Sequence, residues 1–156
     1  MAKQRAPDLD EIDVLQLEQQ LCFAVHVAAR AYDGFYRRVL AGIGLTYPQY
    51  LVMLVLWEHG PLPVKRLGEL LRLDSATLSP LLKRIEGAGL VRRERRSDDE
   101  RSVTVKLTAK GKALRNRALG VPQEAMEATG LSVNELIDLR TRIERLSAAL
   151  NEAASS

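Results

Sequence analysis

DSATLSPLLKRIEGAGLVRRERRSDDERSVTVKLTAKG, residues 74–111, is the stretch from which the rest of the chain can be read. Asp74 or Ser75 is suited to cap a helix, because a side-chain oxygen there accepts a bond from an unpaired backbone N–H. Leu78, Leu81, Leu82 and Ile85 then recur at helical spacing, and Gly87 and Gly89 end the run. The opposite face carries Ser75, Thr77, Ser79, Lys83 and Arg84. Short polar and cationic side chains of this kind reach base edges and phosphates when a helix lies in a major groove. Val91, Val103, Val105 and Leu107 mark two strands, with the turn between them at residues 96–101. Helix plus hairpin at this spacing is a winged helix-turn-helix, with the hairpin as the wing.

Charge density supports the same reading. Residues 83–117 hold twelve Lys/Arg against five Asp/Glu, over half of the chain's 23 basic residues. A local basic field is the electrostatic footprint of nucleic-acid binding. Net charge is only +3, so that field is confined to one region. The expected DNA-contacting side chains are Ser75, Thr77, Ser79, Lys83 and Arg84 on the helix, and Arg95 and Arg96 on the wing.

The run GLVRRERRSDDERSVTVKLTAKG, residues 89–111, resembles the wing of MarR-type transcriptional regulators. The likeness lies in Asp99 and Arg101 at the tip and in Leu107-Thr108-Ala109-Lys110-Gly111 opening the next helix. It implies that Arg101 enters the minor groove and that Asp99 orients it. A guanidinium also suits a narrow, electronegative minor groove on physical grounds.

At 156 residues the chain is long enough for one domain with a real core. Aromatic residues make up only 4%, so that core must be built from Leu, Val and Ala, which suits helices. A single cysteine excludes an intramolecular disulfide framework and fits a reducing cytoplasm. No stretch approaches the ~18 apolar residues of a membrane span, and MAKQRAPDLDEID lacks the apolar centre of a signal peptide.

The expected fold is mostly α with a small β-hairpin, a single domain over 1–156. A winged helix-turn-helix over 46–107 is flanked by dimerisation helices over 13–41 and 108–152. In the first of these, Leu17, Leu21, Ala24, Val25, Ala28, Tyr32, Phe35, Tyr36 and Val39 fall at three- and four-residue steps. A helix over 13–41 would be about 40 Å long, more than a small domain needs. Thr46 opens a second helix with Pro48 in its first turn. A third helix runs over 64–73, with Leu67, Leu70 and Leu71 facing the core. Thr108 caps a helix to about residue 129, interrupted or bent near Gly120 and Pro122, and Ser132 with Glu135 forms a capping box for the last one. Leu136, Leu139, Ile143, Leu146 and Leu150 repeat along one stripe of it. Apolar helices at both ends with nothing left to cover them predict a homodimer. Its two reading helices would then meet successive major grooves, roughly 34 Å apart, on a palindromic operator in double-stranded DNA.

Cys22 bears on what such a regulator senses. Taken alone, a free cysteine reads as a small buried hydrophobe. Tyr36 follows fourteen residues later on the same face, about 21 Å along the helix, so the two cannot touch within one subunit. Across an antiparallel pair of such helices they can meet, and Tyr47 can join them.

The segment LEQQLCFAVHVAARAYDGFYRRVLAGIGLTYPQYLVMLVLWEHG resembles the OhrR branch of the same family, the organic-hydroperoxide sensors. That likeness implies that Cys22 is the peroxide-sensing thiol and that Tyr36 and Tyr47 of the partner subunit hydrogen-bond to it. The chemistry agrees, since a thiolate is the nucleophile toward an O–O bond and phenolic O–H donors stabilise it. The helix dipole is expected to help little, with Cys22 beyond the first turn of a helix that starts near residue 13. His26 is a further polar neighbour, or a solvated surface residue. Leu21, Phe23, Phe35 and Met53 are candidates for an apolar lining that would favour organic hydroperoxides over hydrogen peroxide.

Some members of that branch carry a second, resolving cysteine, and this sequence has none. A sulfenic acid at Cys22 is therefore expected to be capped by a low-molecular-weight thiol or to oxidise further. The alternative is a MarR-type repressor released by a small phenolic ligand at the dimer interface. Cys22, His26 and His59 lack metal-ligand spacing. No nucleophile–base pair or phosphate-cradling glycine loop points to an enzyme, and no cofactor is implied.

Overall fold

The computed structural model describes residues 15–95 and 103–155. A 3-10 turn, Leu17–Gln19, leads into α1 (Leu21–Ala41) and α2 (Tyr47–His59). β1 (Leu62–Pro63), α3 (Val64–Leu71), α4 (Ser75–Gly87), β2 (Val91–Arg95) and β3 (Val103–Leu107) follow. The described chain closes with α5 (Ala109–Ala118), α6 (Val121–Thr129) and α7 (Val133–Ser155). The fold is mostly α around a small antiparallel sheet, as the sequence predicts.

Local chemistry sets the helix starts. Thr46 accepts from the Gln49 backbone N–H while its own N–H donates to Gln49 Oε1 at 2.9 Å, a full capping box. Asp74 caps α4 by accepting the Thr77 N–H at 2.7 Å. Ser132 and Glu135 make the expected reciprocal pair ahead of α7. α4 runs to Gly87, and Gly89, at φ +73°, turns the chain into β2 with a backbone that a β-carbon would strain.

The core sits under the reading unit. Leu40, Val52, Met53, Leu56, Leu67, Leu78, Leu82, Ile85, Val91 and Val105 are essentially inaccessible to solvent. Each such side chain contributes roughly 1.5–3 kcal/mol through burial. α2 is apolar on nearly every side and lies centrally, packing on α1, α3, α4 and α5.

Several expectations need correcting. The first helix starts at Leu21, because Gln20 has an extended backbone (φ −82°, ψ 113°) that breaks it from the preceding turn. Leu15 and Leu17 on the far side of that break are strongly exposed. α3 ends at Leu71, where Arg72 takes a left-handed conformation, and Leu70 faces solvent instead of the core. The interruption expected near Gly120 is present: the stretch from Thr108 to 129 forms two helices, α5 and α6, separated at Leu119-Gly120. The sheet has three strands in the order β1-β3-β2, since Leu62 and Pro63 pair with Val105 and Thr104. Two residues are too few to leave a strand pattern in the sequence.

Candidate functional site

The corrected start of α1 changes the setting of Cys22. It is the second residue of the helix and exposed to solvent, so it lies in the first turn and not beyond it. Backbone N–H groups there lack intrahelical acceptors, and the helix dipole places partial positive charge beside them. Gln20 provides no side-chain cap for these donors. An exposed sulfur at such a position is open to reagents from solvent.

Tyr36 on α1 and Tyr47 on α2 stack, with ring centroids 4.4 Å apart. Tyr32 lies 6.1 Å and Tyr50 6.0 Å from Tyr36, so all four tyrosines of the chain form one cluster. Burial first, and then the neighbouring phenols, push the Tyr36 hydroxyl up to about 12. Tyr47 is raised by burial and by the Asp33 carboxylate, and Tyr50 by burial and Tyr47. These groups are therefore protonated O–H donors at neutral pH.

Cys22 lies fourteen residues from Tyr36 along the same helix, about 21 Å away, so one chain does not bring thiol and phenols together. His26, Leu21 and Phe23 are exposed near the thiol, while Phe35 is half-buried against Tyr36. Met53 is fully buried in the core under the reading unit, which removes it from the candidate lining.

In the reading unit, Ser75, Thr77, Ser79, Lys83 and Arg84 are all exposed on α4, and Arg95 is exposed at the end of β2. Arg96, Asp99 and Arg101 lie outside the described residues. The basic field is more selective than its composition suggests. Arg93 is bound to Glu86 of α4 by its backbone N–H at 2.8 Å and by Nε and Nη2 at 2.9 and 2.7 Å. Those bonds hold the Glu86 carboxyl below the usual carboxylate range. Glu94 engages both Arg92 and Lys106, and Lys110 donates to the Ala88 carbonyl at 2.8 Å. Such cations brace the wing; among the described residues Lys83, Arg84 and Arg95 form no ion pair of this kind. Glu86 and Glu94 escaped the sequence reading, because an acidic residue inside a basic run carries no mark of what it faces.

The helices that flank the reading unit leave apolar faces uncovered. α7 buries no residue, and Val133, Ile137, Leu139, Ile143 and Leu150 on it are exposed. Leu21 is 62% exposed, and Phe23, Val25, Val27 and Tyr32 continue the surface along α1. No helix among the described residues is long and apolar enough to cross a membrane.

With this geometry in place, known proteins can be set beside it. The MarR family model matches residues 45–103. The Organic hydroperoxide resistance transcriptional regulator of Bacillus subtilis is 40% identical over 143 residues, covering 92% of this chain and 97% of its own. This chain belongs to the MarR family. The HTH-type transcriptional regulator TtmR of Methylorubrum extorquens is 46% identical over 144 residues, 92% of this chain and 74% of that protein. Among solved structures, reduced AbfR bound to DNA superimposes with a TM-score of 0.72 at 36% identity, over 87% of this chain and 93% of that one. As a MarR-family member the protein is a DNA-binding transcriptional regulator, and its relatives are regulators rather than enzymes.

Proposed function

We propose that this MarR-family protein is a homodimeric repressor that senses organic hydroperoxides through Cys22 and then releases a palindromic operator. Two protonated phenols stacked at 4.4 Å, one of them on the helix whose exposed first turn carries the only cysteine, are the observation that carries this reading. Cys22 and Tyr36 are each seven residues from Ala29, so two α1 helices crossing antiparallel near Ala29 bring Cys22 of one beside Tyr36 of the other. Ala28, Ala29 and Ala31 are small enough to allow close approach. The uncovered faces of α1 and α7 supply the surface for such a dimer.

The chemistry balances simply. The Cys22 thiolate attacks one peroxide oxygen, the O–O bond breaks, an S–O bond forms, and a proton completes the departing alcohol. The sulfenic acid then condenses with a low-molecular-weight thiol, forming a mixed disulfide and releasing water. Tyr36 and Tyr47 donate to sulfur in the reduced state and lose that bond when sulfur is substituted. Hundredfold operator release needs roughly 2.7 kcal/mol of coupling. Forcing a thiol-derived group into a packed interface costs typically about 1–3 kcal/mol, and it occurs twice per dimer. The capped form is accordingly the effective released state. In the DNA complex Ser75, Thr77, Ser79, Lys83, Arg84 and Arg95 contact the operator, with Arg96, Asp99 and Arg101 at the wing tip. A cytoplasmic location follows from reducing conditions around the sensing thiol.

Operator binding before and after cumene hydroperoxide, for wild type and Cys22→Ser, tests this. Wild type should release DNA and Cys22→Ser should stay bound. Equal release by both would sink the thiol reading and favour a ligand-released repressor instead.

A further inference from the structure

Trp57, the only tryptophan in the chain, stands between the tyrosine cluster and the root of the wing. Its ring meets Tyr50 edge-on at 6.5 Å, and Tyr50 lies 6.0 Å from Tyr36. On its other side the indole Nε1–H donates to the Gly111 carbonyl at 3.0 Å. Gly111 sits in the first turn of α5 and is pressed onto Leu90, so tightly that a β-carbon there would fall 2.0 Å from the Leu90 oxygen. Leu90 joins α4 to β2, and is thus the point where the reading helix meets the wing. The same joint is clasped by Thr108, whose N–H donates to Leu90 O at 3.0 Å and whose hydroxyl donates to Gly89 O at 2.6 Å.

We propose that Trp57 is a positioning residue that couples the Tyr36–Tyr47 pair to the α4–β2 joint. This rests on the hydroperoxide reading of Cys22 and names how its signal reaches the DNA-reading elements. A path from phenol to Leu90 runs through ring contacts, one directional hydrogen bond and one backbone contact. Close-packed elements of this kind shift between discrete arrangements instead of deforming gradually. Displacing Tyr36 or Tyr47 moves Tyr50 and the indole, and the Gly111 bond carries the motion into the joint. Spatial continuity alone does not establish coupling, so the test must measure it.

Trp57→Phe keeps an aromatic ring and removes the N–H donor. Operator affinity of the full-length reduced variant should stay within about threefold of wild type, while release by cumene hydroperoxide falls from about 100-fold to under about tenfold. A merely structural role would change reduced affinity or stability and leave the release ratio intact, which overturns the proposal. Wild-type release equalled by Trp57→Phe overturns it as well, with the Cys22 reading still standing. Absence of release in wild type removes both. A second measurement needs no Trp57 variant. Indole emission should change when wild type is oxidised and stay constant in Cys22→Ser; unchanged emission in wild type that has released its operator overturns the coupling.

Discussion

Tyr36 of α1 and Tyr47 of α2 lie ring on ring, 4.4 Å apart and inclined by 29°. Eleven positions separate them in the chain, with the Gly42-Ile43-Gly44 turn between. That turn folds α2 back on α1 and makes one donor pair of two phenols. The same contact buries both hydroxyls enough to hold them protonated far above neutral pH. A sensing thiolate would find two O–H groups fixed in advance, with little ordering left to occur at the moment of reaction.

Removing either hydroxyl should slow the thiol. A hydrogen bond to a charged group contributes about 1.5–3 kcal/mol, so Tyr36→Phe or Tyr47→Phe should cut the rate of Cys22 oxidation roughly tenfold or more. Loss of free thiol with time in cumene hydroperoxide measures it. Wild-type rates in both variants would remove the phenols from the mechanism.

Alkaline titration of the cluster should be delayed. Tyr36, near 12, and Tyr47 and Tyr50, raised above the ordinary value, should ionise after an unperturbed tyrosine at about 10. Folding here favours the neutral phenol, so the associated stability is full below pH ~10 and is lost as pH rises toward 12. Phenolate absorbance rising in a single step near pH 10 while the protein stays folded would contradict the cluster.

Glu86→Gln should loosen the wing from α4. It removes the charge that Arg93 grips through Nε and Nη2. Operator affinity should fall several-fold, with the loss concentrated at the minor-groove flanks in a hydroxyl-radical footprint. Because the folded carboxyl is held below its unfolded value, its contribution is present above pH ~4.3 and disappears as pH falls through the folded value. The variant should therefore show a shallower acid limb in stability against pH; an acid limb identical to wild type would show that the pair does not support the wing.

Gly111→Ala should be among the most damaging single-methyl additions in the chain. The new β-carbon would meet backbone, not a yielding side chain, 2.0 Å away at Leu90 O. Overpacking against fixed atoms costs typically about 1–3 kcal/mol, and this site belongs at the upper end. Denaturant unfolding with Gly120→Ala as the control, where a β-carbon meets nothing within 4 Å, isolates the effect. Equal midpoints for the two would refute the tight joint.

A charge on the α7 stripe should separate subunits. Leu139 and Ile143 are each nearly half exposed in the single chain, and Ile143→Glu would place a carboxylate in the proposed interface. Analytical ultracentrifugation should then find monomer where wild type is dimer. An unchanged sedimentation coefficient would direct the dimer surface elsewhere.

Much of this was legible in order along the chain. Leu78, Leu81, Leu82 and Ile85 announce the buried face of α4 and Asp74 its cap, because helical period and capping act over three or four residues. Val91 and Val103–Leu107 announce the wing strands in the same local way. The Glu86–Arg93 grip, the pairing of β1 with β3 and the Trp57–Gly111 bond join positions seven to 54 residues apart, and no periodicity records such meetings. The start of α1 misled for a related reason. Leu17 and Leu21 fit a helical stripe, yet the extended backbone of Gln20 separates them, and side-chain spacing does not record a backbone break. Residue pattern thus determined which elements form and which of their faces are apolar. Only the packing of distant elements decided that two phenols stack and that part of the basic run is paired with carboxylates, since those outcomes depend on neighbours that the chain brings together solely by folding.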